Sequence, residues 1–271
     1  SSPGFDLNDM GYMKETDYLM NETEIMYRQT DIWKIFRYNA FTLSQKNMWN
    51  YGGTPFSNNA SLRWQSMTMN RYEWDVKETF AWNWLDSRLL RGGPDVRFGS
   101  YFLTSAKFNT DKAKRMMFML KYEGDHNFEG NRFNTISPSL TFRLGNHVYL
   151  SGQLDYAWNT DEMQYVATTS PLSSSSLAPY YYVMGHMDQK TYGLTLKLQV
   201  NVTPDISIQF YGAPFTSIAK YDDFKLAADT KSHTFENRFQ RIDPDQLTYA
   251  DGVYTIGEGA GQMPFRNPDF R

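Results

Sequence analysis

From Tyr192 to Val202 the chain alternates without a fault. Tyr192, Leu194, Leu196, Leu198, Val200 and Val202 are apolar, and Gly193, Thr195, Lys197, Gln199 and Asn201 between them are small or polar. A period of two puts the two sets on opposite faces of a β-strand. Thr203-Pro204-Asp205 interrupts the pattern, and it resumes as Ile206, Ile208 and Phe210 against Ser207, Gln209 and Tyr211. Two long strands joined by a tight turn are predicted. The same pattern occurs upstream: Val148, Leu150, Leu154, Tyr156 and Trp158 oppose Tyr149, Ser151, Gln153 and Asp155. Met116, Phe118, Leu120 and Tyr122 oppose Arg115, Lys121 and Glu123, and Ile136, Leu140, Phe142 and Leu144 oppose Ser137, Ser139, Thr141 and Arg143. Trp33 to Leu43 alternate less cleanly, so the pattern does not set the register of the first strands.

The breaks between these runs are of two kinds that alternate along the chain. Short ones fall at Thr30-Asp31, Asn70 to Trp74, Asn109 to Lys112, Gly145-Asn146 and Thr203 to Asp205. Longer, irregular ones fall at Asn47 to Asn59, Leu89 to Asp95, His126 to Asn131, Gln164 to His186, and after Ser217. Ten strands are predicted, near 18–29, 32–46, 59–69, 75–88, 96–108, 114–125, 132–144, 147–163, 187–202 and 206–216. Most are longer than the roughly 5–6 residues usual in globular proteins, and long enough for the about 9–11 residues that cross a bilayer at a tilt. Short turns on one side and long loops on the other are the arrangement of an outer-membrane barrel. The expected fold is therefore all-β: a transmembrane antiparallel outer-membrane β-barrel. About ten of its strands lie in this segment as part of a larger barrel, and the external loops are long. Residues 1–271 are expected to form one barrel domain, incomplete at both ends, with 218–271 as a long external loop. Trp64, Trp82, Trp84, Trp158 and Tyr192, near strand ends, would form interfacial girdles. A soluble sandwich or propeller also alternates, but its strands are shorter and its loops do not sort by parity.

Composition agrees with this reading in an indirect way. Hydrophobic residues make up 41% and aromatics alone 17%, which leaves few aliphatic residues for a conventional interior of this size. Mean hydropathy is −0.61, and no run approaches the roughly 18 apolar residues of a membrane-spanning helix. A barrel strand shows lipid only every second residue, so it meets both conditions. The absence of cysteine removes disulfides, thiolate metal sites and cysteine nucleophiles. A net charge of −3 excludes a broadly basic nucleic-acid binder. Ser1 opens without a charged, apolar signal sequence, so the chain is expected to be processed or one portion of something longer.

Candidate chemistry follows from the assigned faces. Lumen-facing basic residues are expected at Arg63, Lys77, Arg97, Lys107, Arg115, Lys121, Arg143 and Lys197, with Arg28 beside them, against Glu22, Glu24, Glu123 and Asp155. Such a wall would favour anions or sugar acids, or else its charges pair with one another across a water-filled or plugged lumen. Tyr180, Tyr181 and Tyr182 follow the low-complexity tract PLSSSSLAP, and either stack on sugar rings as loop ligand contacts or pack within the loop. His126, His147, His186 and His233 form no HExxH pair. No GxSxG elbow occurs, so no catalytic residue is assigned and an enzyme is not the expected role. Asp243, Asp245 and Asp251, with Asp222-Asp223 upstream, are weak candidates for calcium, which takes oxygen ligands from flexible loops. The EF-hand pattern fails at Leu247 and Thr248. No other cofactor is expected.

Four stretches, SPGFDLNDMGYM, YRQTDIWKIFRYNAF, FGSYFLTSAKFNTDKAKRM and NPDFR, resemble in order and spacing the C-terminal region of Bacteroidota outer-membrane proteins that carry the domain of unknown function 5916. The resemblance covers essentially the whole chain. It implies a larger protein with a secretory signal, an N-terminal module similar to type 9 carbohydrate-binding domains, which is absent here, and then this barrel. It also implies the outer membrane of a Gram-negative bacterium, and it assigns no chemistry to particular residues. The expected function is an outer-membrane barrel that binds, passes or anchors the binding of a polar ligand, glycan included, at the cell surface. Its partners would be outer-membrane lipid, that ligand and other outer-membrane proteins. The alternative is a non-transporting accessory subunit of a larger outer-membrane complex. An envelope hydrolase is a third class.

Overall fold

The computed structural model describes Ser2 and residues 17–271, except residues 83, 146, 173–178 and 204 and the side chains of residues 56 and 260. The first of the four family-like stretches and most of the PLSSSSLAP tract lie outside the described residues. Among the described residues seventeen strands follow one another: β1 (Leu19–Gln29), β2 (Phe36–Trp49), β3 (Pro55–Thr68), β4 (Glu73–Trp82), β5 (Trp84–Asp86), β6 (Val96–Phe98), β7 (Tyr101–Asn109), β8 (Met116–Asn127), β9 (Arg132–Leu144), β10 (Val148–Thr169), β11 (Tyr181–Thr203), β12 (Ile206–Gly212), β13 (Phe215–Ala227), β14 (Phe239–Arg241), β15 (Leu247–Ala250), β16 (Val253–Ile256) and β17 (Met263–Arg266). A single helical turn, α1 (Phe235–Arg238), precedes β14.

The main sheet runs β1-β2-β3-β4-β7-β8-β9-β10-β11-β13-β14, with β12 also paired to β11. Its pairings are antiparallel throughout. Among the described residues the path does not return to β1, so the sheet is open. β5 and β6 form a separate two-stranded ribbon, and β15 to β17 a three-stranded one.

The pairing registers carry the alternation from strand to strand. Tyr27, Phe41, Trp64, Val76, Ala106, Tyr122, Ile136, Tyr156 and Tyr192 stand level in one row across β1 to β11. Each is a cross-strand neighbour of the next on one face. Burial is inverted relative to a water-soluble sheet. On the apolar face Ile25 is 66% exposed and Leu154 58%, while Thr42, Ser61, Thr79, Ser137 and Thr141 on the opposite face are buried. The rows also slant. Glu73 opens β4 and pairs Asn109, which pairs Met119, then Ser139 and finally Gln153, five residues beyond the start of β10 at Val148 (153 − 148). An offset of this kind is the shear that curls a sheet toward closure.

Three expectations are corrected. The stretch Gln164 to His186 is not an irregular loop: β10 runs to Thr169 and β11 starts at Tyr181. The last pair of β9 with β10 is Arg132 with Thr160, so the β10–β11 hairpin continues alone past the other strands, with bulges between Asp161 and Gln164 and between Tyr165 and Ala167. The last expected strand does not stop at 216. β12 and β13 are one partner of β11 interrupted at Ala213-Pro214, where the Leu194 N–H still donates to the Pro214 carbonyl (3.0 Å). Residues 218–271 are accordingly not a single loop, since they hold most of β13, α1 and four further strands.

These additional elements build the apolar cores that the main sheet lacks. Leu90, Val96, Met163, Met184 and Phe239 form one cluster, and Val183, Phe224, Ile256 and Phe265 a second. Both assemble on the β10–β11 extension. A buried arginine fastens this layer. Arg238 donates to the carbonyls of Ser232 (2.9 Å) and Arg97 (2.6 Å), and grips both oxygens of Glu129 (3.0 and 2.5 Å). Glu129 also accepts the Gly99 N–H at 3.1 Å.

Candidate binding site at the rim

The polar face of the main sheet ends, on the side of the long connections, in a cavity of about 480 Å³. Residues on the polar face of β7 to β11 wall it: Tyr101, Asp125 and Asn127, Phe133, Asn159 and Asp161, and Met187 and Gln189. Trp84, Asp86 and Phe98 from the β5–β6 ribbon face them. Strand alternation aims the first set inward, and the ribbon is fixed by its own turn, where Asp86 Oδ1 accepts the N–H groups of Arg88 (2.7 Å) and Leu89 (3.1 Å). Arg132 and Thr160, which belong by register to the apolar face, complete the edge.

The lining combines aromatic planes with acceptors. Asn159 Nδ2 donates to Gln189 Oε1 at 3.0 Å. Asn159 Oδ1 is buried and has no hydrogen-bond partner among the described residues. Asp161 lies on the extension of β10, past the last pair with β9. Burial pushes its carboxyl above the usual carboxylate range, the Met163 N–H opposes this, Glu162 adds to it, and Lys225 and His186 oppose it. Behind the cavity, His186 Nδ1 is 3.0 Å from Glu162 Oε1, and the buried Lys225 ammonium is 3.4 Å from Asp223 and 4.0 Å from Glu162. Phe235 and Phe239 cover that ammonium, with ring centres 5.5 and 5.9 Å away.

Farther along the polar face, away from the rim, the charge changes sign. Six of the eight expected basic residues, Arg63, Lys77, Lys107, Lys121, Arg143 and Lys197, share this face by register. Arg63 forms a two-point ion pair with Asp75. Lys121 pairs Glu123 at 2.7 Å, and Lys197 lies 5.7 Å from the ring of Tyr211. Arg115 precedes β8 in a turn, where its carbonyl accepts the Arg143 N–H at 2.7 Å. Arg97 is in β6, outside the main sheet, and its Nε donates to the Lys231 carbonyl.

The other candidates are not brought into the cavity. Tyr180 is exposed just before β11, Tyr181 and Tyr182 open that strand, and Tyr182 packs against the Leu90 cluster. Asp243 precedes a short turn of 3-10 helix, Asp245 is within it, and Asp251 occupies the turn between β15 and β16. No group of three His, Asp or Glu side chains gathers to hold a metal ion among the described residues. Sequence reasoning missed Asp75, although it has the parity of Lys77, and missed Asp125, Asn159 and Asp161. The shared parity of Asp155, Asn159 and Asp161 was the available signal.

Fold and cavity together define an all-β, antiparallel-sheet protein with an aromatic and carboxylate-lined site at one end of its polar face. The chain belongs to the family described as Domain of unknown function (DUF5916), whose model matches residues 1–249. No curated protein and no solved structure matches it.

Proposed function

We propose that this sheet is part of the wall of an outer-membrane β-barrel of a Gram-negative bacterium, and that the rim cavity captures a polar ligand such as a glycan at the cell surface. The inverted burial carries the reading: large apolar side chains stand exposed on one face while small hydroxyl residues are buried on the other. Lipid is the surrounding that makes such a distribution favourable. The slanted register and a row of aromatics across the sheet support it. The two open edges require further strands, because unpaired backbone groups are not tolerated in hydrocarbon.

The test is membrane separation of the protein expressed with its native leader, followed by single-cysteine labelling. The protein should sediment with outer membrane. Cys at 196 and 198 should react with a lipid-soluble maleimide and resist an impermeant one. Recovery in the soluble fraction, monodisperse without detergent, would overturn the reading. A second reading, a non-transporting accessory subunit, is favoured by the Arg238-pinned layer over the rim. Planar-bilayer recordings separate the two, since stable size-selective pores exclude a plugged subunit and a silent bilayer excludes an open channel.

A further inference from the structure

The composition of the rim cavity narrows its ligand, on the assumption that the rim faces the cell exterior as proposed above. Trp84, Phe98, Tyr101 and Phe133 offer flat apolar faces within one cavity. Flat rings of this kind bury the C–H face of a pyranose. The polar lining is rich in acceptors: Asp86, Asp125 and Asp161 contribute carboxylates, and Asn159 contributes a buried carbonyl oxygen with no donor among the described residues. A buried acceptor without a donor is costly until a ligand supplies one. A sugar hydroxyl or ammonium does so. A sugar carboxylate brings a further acceptor and a like charge, and among the described residues the one basic side chain in the lining is Arg132, at the edge.

We propose that the rim cavity is a saccharide subsite that takes a pyranose bearing a protonated amine in preference to its neutral counterpart, and excludes a sugar acid. The preference opposes the one expected from the basic residues alone. Six of those residues lie on the same face but outside the cavity, and two of them, Arg63 and Lys121, are paired with Asp75 and Glu123. Aromatic stacking sets how well any pyranose binds. The carboxylates set which one. Asp125 is the principal discriminator, because its carboxylate accepts no hydrogen bond among the described residues, whereas Asp86 and Asp161 each have an oxygen engaged by backbone N–H groups.

The experiment is calorimetric titration of the detergent-solubilised protein with three β-1,4-linked trimers at pH 6: glucosamine, glucose and glucuronate. The glucosamine trimer should bind at least tenfold more tightly than the glucose trimer, and the glucuronate trimer should give no saturable heat. The glucosamine advantage should shrink as salt is raised. Asp125→Asn should reduce it to less than threefold, and Trp84→Ala should weaken both trimers together. Circular dichroism of each variant establishes that the sheet is intact. Equal affinity for glucosamine and glucose trimers, tighter binding of glucuronate, or an unaltered preference in Asp125→Asn overturns the proposal. Membrane sedimentation of the expressed protein, before detergent is added, reads the barrel separately. Protein that inserts but binds no trimer refutes the subsite alone, and protein that binds but remains soluble refutes the barrel alone.

Discussion

Replacing Arg238 by methionine tests whether one ion pair holds the layer over the rim. Arg238 is 1% exposed at its side chain and Glu129 13%, and the guanidinium serves Glu129 and the carbonyls of Arg97 and Ser232 at once. Methionine fills much of the volume but donates nothing. Glu129 would keep only the Gly99 N–H, and the carbonyls of Arg97 and Ser232 would lose their donor. Removing one partner of a buried pair costs about 3–5 kcal/mol, because the other charge is left uncompensated. The cost should fall on the layer and not on the sheet, since the affected groups lie between residues 97 and 99, at 129 and from 228 to 238. At about 1.4 kcal/mol per tenfold, hydrogen exchange should accelerate by roughly a hundredfold to a few thousandfold. The reporting amides are those of Arg97, bonded to the Thr230 carbonyl, and Ala228, bonded to the Arg238 carbonyl. Amides in the middle of β8 and β9 should be unaffected, because local opening does not require the sheet to open. The double variant Arg238→Met with Glu129→Gln should recover much of the loss, as an uncharged side chain is less costly to strand. The reasoning is refuted if exchange at Arg97 and Ala228 is unaltered, or if protection is lost equally across β8 and β9.

Three further outcomes are expected. Leu196→Arg or Leu198→Arg should impair membrane insertion, costing about 2–4 kcal/mol for a charge near the bilayer midplane, whereas Lys197→Leu should be tolerated; folding yields into lipid vesicles check both. Gly93→Ala should loosen the connection before β6, because an added Cβ would lie 2.7 Å from both Leu90 Cβ and the Tyr182 ring; overpacking typically costs about 1–3 kcal/mol, and faster proteolysis between residues 86 and 98 would report it. The raised carboxyl of Asp161 means the folded β10–β11 extension holds its proton more tightly than the unfolded one, so local stability should fall as pH rises from the usual carboxylate range through the raised value. Opening free energies at residues 161–169, taken from exchange rates corrected for the intrinsic rate at each pH, should lose their pH dependence in Asp161→Asn.

Most of the strands were legible because alternation is a local signal. The range 132–144 is identical in the expectation and in β9, and the pairing of β10 with β9 and β11 sets the apolar residues from Val148 to Trp158 level with apolar partners over most of its length. Where the period was broken the reading stopped early. Two bulges in β10 shift the parity after Asp161, and Ala213-Pro214 breaks the run between β12 and β13, so continuous backbone pairing was hidden behind discontinuous side-chain pattern. The rim cavity was less legible still. Asp125 and Asp161 are thirty-six residues apart (161 − 125) and meet only through the registers of β8, β9 and β10. Trp84 and Phe98 approach from a ribbon that the pattern merged into its neighbours. The tyrosine triplet drew attention through composition alone, and Tyr182 serves packing.

The reversal of charge along the polar face also has a consequence for current. Asp125 and Asp161 stand at the rim, and Lys77, Lys107 and Arg143, none of which forms an ion pair among the described residues, lie nearer the short turns on the same face. If the finished barrel has a continuous aqueous path along this face, an ion crossing it meets a negative segment and a positive segment in series. Mobile cations collect in the first and anions in the second. One polarity of voltage then drives both populations toward their junction, while the other drains them from it. The wall would behave as a fixed-charge diode, with conductance that depends on the sign of the applied potential. Lowering the pH to protonate the rim carboxylates should leave one segment charged and straighten the current–voltage curve.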